Sequence, residues 1–179
     1  ILQATSCLYP DMEIWVVDDN SPDGTAGIVS RISESNLKIK LISRKAKTGL
    51  GDAYKEILAK IQKISDIRFI VTMDADGSHD PASIKDLIKE LSDHDLAIGS
   101  RYVRGGKISG WDKKRLALSF FGNIYSRLVT GSPIKDGTAG FVAFRSSALD
   151  ALNFENISGS GYAYQIEFKN ALVREGKLF

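Results

Sequence analysis

The sequence predicts an α/β domain with a mostly parallel central sheet flanked by helices. Short apolar runs rich in Val, Ile and Phe alternate with longer stretches of helical period, and each run gives way to a polar or glycine-containing turn. The 179 residues are 43% hydrophobic and 26% charged, enough for one domain with a buried core, which excludes the disordered and low-complexity classes.

Taken in order, strands are expected from Glu13 to Val17, Lys38 to Ser43, Arg68 to Met73, Leu96 to Gly99 and Gly140 to Phe144. The intervening helices carry recognisable starts. Asp23-Gly24-Thr25 opens one that runs to about Ser35, and Gly51-Asp52 opens another from Ala53 to Ile64, with Ile57, Leu58 and Ile61 on its buried stripe. Pro81 sits in the first turn ahead of Ala82 to Leu91, where Ile84, Leu87, Ile88 and Leu91 follow the i, i+3, i+4, i+7 spacing of a core-facing helix. A long helix is expected over Lys113 to Thr130 and a last one over Tyr162 to Glu175.

Several function classes fall away on composition. With 24 Lys and Arg against 22 Asp and Glu, the net charge of +2 gives no reason to expect nucleic-acid binding. Cys7 is the single cysteine, so no internal disulfide is possible, and with only His79 and His94 beside it a Cys/His zinc site is excluded. No run of about 18 apolar residues is present to span a membrane. The chain opens on Ile1 and closes on Gly176-Lys177-Leu178-Phe179, which reads like the beginning of a strand, so both ends look cut.

In open α/β sheets ligands bind beyond the carboxyl ends of the strands, and here those positions are rich in acid. Asp74 and Asp76, separated by Ala75 directly after an apolar strand, can both turn toward one hard divalent cation, Mg²⁺ or Mn²⁺, with open positions left for a diphosphate. The competing reading is a solvated acidic turn. Asp18 and Asp19 would repel unless one turns outward or accepts hydrogen bonds, so one of the two is expected to meet a ligand while Asn20, Ser21 and Asp23 build the turn. His79 is read as a hydrogen-bonding partner of its loop. Gly49 and Gly51 lack the spacing of a dinucleotide fingerprint or a P-loop and are read as sites of close backbone packing.

The one strongly basic segment holds Arg101, Arg104, Lys107, Lys113, Lys114 and Arg115 against the single acid Asp112. It precedes a helix that carries Leu116, Leu118, Phe120, Phe121, Ile124, Tyr125, Leu128 and Val129. Arginines beside an apolar surface suit a phosphate carried on a lipid, although a helix apolar on most sides is also what a buried core helix looks like.

These segments together resemble a known family. Val16 to Thr25, Gly49-Leu50-Gly51-Asp52-Ala53-Tyr54, Met73-Asp74-Ala75-Asp76 with Ser78-His79, Gly99-Ser100-Arg101-Tyr102-Val103, Gly110-Trp111-Asp112 with Arg115, Asp136 to Phe141 and Gly161 to Glu167 fall in the order found in the polyprenol (dolichol) phosphate mannosyltransferases. Those are inverting family-2 glycosyltransferases with the GT-A fold. The resemblance implies one catalytic domain over residues 1–179, cut at both ends. It places Val17 and Asp19 against the donor nucleoside, and Asp74, Ala75 and Asp76 against ribose, diphosphate and metal. Arg101 and Arg115 fall where the family holds donor and acceptor phosphates, Arg101 on the nucleotide sugar as well. Ser78 stands where some relatives have a further metal ligand, often glutamine, and Gly77 replaces the usual leucine. On this reading the catalytic residues are Asp74, Asp76, Arg101 and Arg115.

The implied reaction transfers mannose from GDP-mannose, with Mg²⁺ or Mn²⁺, to a polyprenyl monophosphate. Its workplace would be the cytoplasmic face of a membrane, reached through a tail or an anchoring subunit. Three alternatives stay open from the residues: a relative using another donor such as UDP-glucose, a nucleotide-sugar-binding module without turnover, and a metal-dependent phosphohydrolase. The last lacks support from the Gly-Trp-Asp-x-x-Arg segment.

Overall fold

The computed structural model describes residues 1–45, 47–103 and 113–179, without the side chains of Lys113, Arg115 and Leu116. Among the described residues there are five strands: β1 (Ile14–Asp18), β2 (Ile39–Ser43), β3 (Phe69–Thr72), β4 (Leu96–Ile98) and β5 (Val142–Arg145). Six α-helices accompany them: α1 (Leu2–Leu8), α2 (Thr25–Ser35), α3 (Leu50–Ile61), α4 (Ile84–Glu90), α5 (Lys113–Thr130) and α6 (Tyr162–Arg174). Every strand and helix expected from the sequence is present with ends shifted by a few residues, and α1 is an addition. Its seven residues are too few for a helical period to stand out.

Local chemistry explains the starts. The Asp23 carboxylate accepts from the Thr25 backbone N–H at 3.0 Å and its hydroxyl at 2.6 Å, while Gly24 takes the left-handed conformation (φ 81°) that leads into α2. Asp80 accepts from the Ala82 N–H ahead of a 3₁₀ turn at Pro81–Ser83 that feeds α4.

The pairing corrects the expected mostly parallel central sheet: among the described residues the strands form two sheets, and two of the three pairings are antiparallel. β1 and β2 pair in parallel, with Ile14 opposite Ile39. β5 inserts between β3 and β4 and runs antiparallel to both, pairing Ile70 with Phe144 on one side and Leu96 with the same Phe144 on the other. β3 and β4 therefore share a direction without touching. Hydrophobic alternation does not encode strand direction, so this reversal has no local sequence signal.

The period-2 pattern of β5 divides the core into two layers. Val142 and Phe144 face α3 and α6, joining Leu58, Ile70, Leu96, Tyr164, Phe168 and Leu172. Phe141 and Ala143 face α4, where Ile84, Leu87 and Leu91 form the second layer with Ala97. Phe144 is fully buried and packs edge-on against Phe168 at 5.4 Å between ring centroids. Phe144→Ala is expected to lower unfolding stability by about 3–5 kcal/mol in a denaturant titration, since a large cavity opens where two strands meet. The last residues lie against β4, where the Leu178 carbonyl accepts from the Asp95 and Leu96 N–H groups.

The long helix α5 behaves differently. Leu118, Phe121, Tyr125, Leu128 and Val129 are all exposed, and among its described side chains the one it buries is the polar Asn123. Among the described residues α5 is thus not a core helix, and the apolar-surface reading of its sequence is the one the structure follows.

Candidate active site

The antiparallel insertion of β5 builds the site. Because β5 runs against β3 and β4, its leading loop, residues 136–141, lies at the carboxyl ends of both. On one side stands the acidic turn that follows β3, and on the other the Gly99-Ser100-Arg101 segment that follows β4. The Gly99 N–H donates to the Phe141 carbonyl at 2.8 Å, and the Thr72 hydroxyl donates to the Gly140 carbonyl at 3.0 Å. A Cβ on Gly140 would come within 3.2 Å of both Asp74 carboxylate oxygens, so glycine leaves that carboxylate its place.

On the β3 side, Asp74 and Asp76 are exposed. Asp76 accepts from the Ser78 N–H at 2.9 Å, and hydrogen bonding from Ser78 holds its carboxyl below the usual carboxylate range. Asp76 therefore stays ionised well into mild acid. Ser78 thus serves the Asp76 carboxylate in this structure. Gly77 has φ 84°, a left-handed conformation that explains glycine where a leucine was expected from the resemblance.

His79 lies beneath the turn, stacked on Phe141 at 5.0 Å. Its Nδ1 accepts the Asp74 backbone N–H at 2.9 Å, the loop hydrogen bond expected of it, and its Nε2 is 4.0 Å from an Asp74 carboxylate oxygen. Burial lowers the His79 pKa, against the pull of Asp74 and Asp76 and with the push of Arg101. With Nδ1 accepting the Asp74 N–H, the ring proton is carried on Nε2, and the fields of both carboxylates and of Arg101 reach the ring together.

On the β4 side, Arg101 is oriented by Asp136, whose side chain is wholly buried. The guanidinium forms a fork, Nη2 to one carboxylate oxygen at 2.9 Å and Nε to the other at 3.2 Å, and Nη2 also donates to the Thr138 hydroxyl at 2.9 Å. The Arg101 N–H donates to the same carboxylate. α5 reaches this loop through Asn123, which accepts from the Gly137 N–H at 2.8 Å. From α6, the buried Lys169 ammonium donates to the Gly137 and Ala139 carbonyls, and burial pushes its pKa down to about 7.

Val17 and Asp19 stand at the end of the separately paired β1. The adjacent acids divide their work: Asp18 is buried and accepts from the Ser21 N–H at 3.1 Å, whereas Asp19 meets Arg44 at 2.5 Å. Arg44 also donates to Glu56 at 3.1 Å and to Thr48 at 2.7 Å, tying the end of β2 to the middle of α3 and to the turn before it. Of the two glycines expected at close backbone packing, Gly51 packs closely, since a Cβ there would fall 2.7 Å from the Gly159 carbonyl, whereas Gly49 has open space around it and is required by its φ of 109°. Tyr54 of α3 stacks on Tyr164, and its pKa is raised to about 12 by burial, with the charge of Asp74 adding to the rise.

The structure thus gathers Asp74, Ala75, Asp76, Ser78 and Arg101 around one loop at the ends of β3 and β4, with Asp19 held at the end of β1. Arg115 and Arg104, Lys107, Gly110, Trp111 and Asp112 were also singled out from the sequence. The Arg115 side chain and all of the others lie outside the described residues. Sequence reasoning assigned no role to Asp136, Arg44 or Lys169. The Asp136 segment was visible as part of the resemblance, but its partner is 35 residues away.

A sequence profile for glycosyl transferase family 2 matches residues 1–152. The chain belongs to glycosyl transferase family 2. Within this family it is 36% identical over 169 residues to an undecaprenyl-phosphate mannosyltransferase of Micrococcus luteus, covering 94% of this chain and 69% of that protein. It is 37% identical over 171 residues to a polyprenol monophosphomannose synthase of Mycolicibacterium smegmatis, covering 93% of this chain. The chain spans 63% of the length of that second relative. A crystal structure of a mycobacterial protein matches 97% of the chain with a TM-score of 0.55 at 19% identity, and spans further, this chain covering 58% of it. Family and fold agree: this family-2 chain has a GT-A-like α/β fold.

Proposed function

We propose that the protein containing this chain transfers mannose from GDP-mannose to a polyprenyl monophosphate, with inversion at the sugar carbon. The observation that carries the reading is the similarity over more than nine-tenths of the chain to two proteins named for mannosyl transfer to a polyprenol phosphate. The local chemistry agrees with it, because a paired-carboxylate turn and an oriented arginine flank one loop.

The residues present fit a divalent cation. Asp74 and Asp76 are hard oxygen donors on one exposed turn, Gly140 leaves the Asp74 carboxylate room, and Asp76 is kept ionised by Ser78. Two carboxylates are too few to complete a coordination sphere, which suits an ion shared with a substrate diphosphate. Bound there, Mg²⁺ or Mn²⁺ would offset the charge that develops on the leaving diphosphate. Ser78 supports this as the partner of Asp76.

Val17 and Asp19 would meet the donor nucleoside, with Arg44 setting the Asp19 carboxylate. Arg101, aimed by Asp136 and Thr138, would hold phosphate oxygens and relieve the repulsion between donor and acceptor. Arg115 is assigned the acceptor phosphate through the resemblance. A phosphate oxygen of the lipid attacks C1 of mannose, a C–O bond forms, and the bond from C1 to the diphosphate breaks with its electron pair leaving on GDP. The second ionisation of a phosphate monoester lies near pH 6, so the nucleophile is already anionic and no side-chain base is needed. His79 is thereby left a role in holding the Asp74 backbone.

No helix among the described residues is long and apolar enough to cross a membrane. The exposed apolar face of α5 suits work at a lipid surface, and we place the enzyme at the cytoplasmic face of a membrane, anchored by a tail or partner subunit. A donor panel of radiolabelled GDP-mannose, UDP-glucose and UDP-galactose, assayed on the full-length protein with one polyprenyl phosphate, tests the donor. Label is expected in lipid from GDP-mannose alone. Equal or better transfer from a UDP-sugar would assign a different donor.

A further inference from the structure

We propose that Lys169 is a positioning residue for Arg101, acting through the loop that carries Asp136. This rests on reading Arg101 as the group that handles substrate phosphate.

The Lys169 side chain is fully buried on α6. Its ammonium donates to the carbonyls of Gly137 at 2.7 Å, Ala139 at 2.8 Å and Gln165 at 3.1 Å, with the Gln165 side-chain oxygen at 3.4 Å. Three N–H bonds thus meet three backbone carbonyls, and none of these acceptors is a carboxylate. Burying a lysine on neutral acceptors is costly, and a leucine or methionine would fill the space at lower cost. A buried lysine on these carbonyls therefore has a use that packing does not supply.

That use follows from what the two loop carbonyls flank. Gly137 and Ala139 lie on either side of Thr138, and Asp136 immediately precedes them. Asn123 takes the Gly137 N–H while Lys169 takes the Gly137 carbonyl, so the peptide units on both sides of Gly137 are pinned, one from α5 and one from α6. The loop cannot slide or rotate without breaking these bonds. The Asp136 carboxylate and the Thr138 hydroxyl, two acceptors that hold Arg101, are carried on this stretch. Fixing the loop fixes the direction of the guanidinium. Small displacements of an aligned charge cost rate steeply, which gives the strap a functional consequence at a distance.

The test compares Lys169→Met, Arg101→Ala and the double variant in the full-length protein. Transfer from GDP-mannose to polyprenyl phosphate is measured, and so is solvent exchange of the Arg101 Nε–H, assigned by its disappearance in Arg101→Ala. Lys169→Met is expected to fold, to lower kcat/KM by about 10–100-fold, and to add less than about 2-fold when Arg101 is already alanine. The Arg101 Nε–H is expected to exchange at least about 10-fold faster in Lys169→Met. Unchanged exchange, or losses that multiply in the double variant, would overturn the proposal. If Lys169→Met does not fold, Lys169→Gln takes its place, and failure of both to fold would make Lys169 a stability element and overturn it as well. Should Arg101→Ala itself transfer at the wild-type rate, the phosphate-handling reading of Arg101 fails, and the exchange measurement alone decides whether Lys169 positions it.

Discussion

Replacing Asp76 with alanine is expected to reduce metal-dependent transfer by about 10³-fold or more while leaving the fold intact. The two halves of that expectation have separate grounds. Asp76 is exposed, and its hydrogen bonding is confined to its own turn with Ser78. Substitutions at such positions usually change stability by no more than about 0.5 kcal/mol. The loss in rate comes from removing one of two carboxylates, since Asp74 alone would have to hold a cation against water. Calorimetry with Mn²⁺ should show binding weakened in parallel, and Asp76→Asn should fail nearly as badly, because the amide keeps the shape without the charge. A variant that lost activity but bound Mn²⁺ as well as the unmodified protein would place the cation elsewhere.

Asp136→Ala should have the opposite profile, with a large effect on both stability and rate. The Asp136 side chain is wholly buried and accepts from the Arg101 backbone and guanidinium and from the Ser100 hydroxyl. Deleting it removes a bidentate carboxylate from a largely enclosed guanidinium and opens a buried void beside the Ser100 hydroxyl, for which the expected penalty is about 3–5 kcal/mol. In a protein of this size that corresponds to a fall in Tm of roughly 6–20 °C, read by calorimetry. Transfer should drop by about 10²-fold even at temperatures where the variant is folded, since Arg101 is no longer aimed. A melting temperature within a degree of the unmodified protein would show that Asp136 is not the anchor of this loop.

The parts of the site that the sequence exposes are those made by neighbours in the chain. Asp74, Ala75 and Asp76 sit at the end of an apolar run, so the rule that ligands gather at strand ends finds them. The core faces of α3 and α4 were legible for the same reason, their apolar spacing being local. What stayed hidden depends on contacts far apart in sequence. Arg44 reaches Asp19 across 25 residues, Arg101 meets Asp136 across 35, and Lys169 meets Gly137 across 32. A lysine on an amphipathic helix reads as solvated, and only the fold turns Lys169 inward. The reversal of β5 belongs to the same class, and it is the feature that places the Asp136 loop between the two strand ends. α5 shows the limit from the other side: its apolar residues are conspicuous, yet composition alone could not say that they face outward.

If this site joins a sugar to a lipid monophosphate, the product carries the proof. The decisive experiment is the structure of the product formed when the full-length protein, GDP-[¹⁴C]mannose, Mn²⁺ and a polyprenyl monophosphate are incubated together. A single labelled lipid is expected, mannose joined to the polyprenol through one phosphate as the β-anomer. Label recovered as free mannose, on a sugar hydroxyl, or in a lipid of retained configuration would contradict this reading.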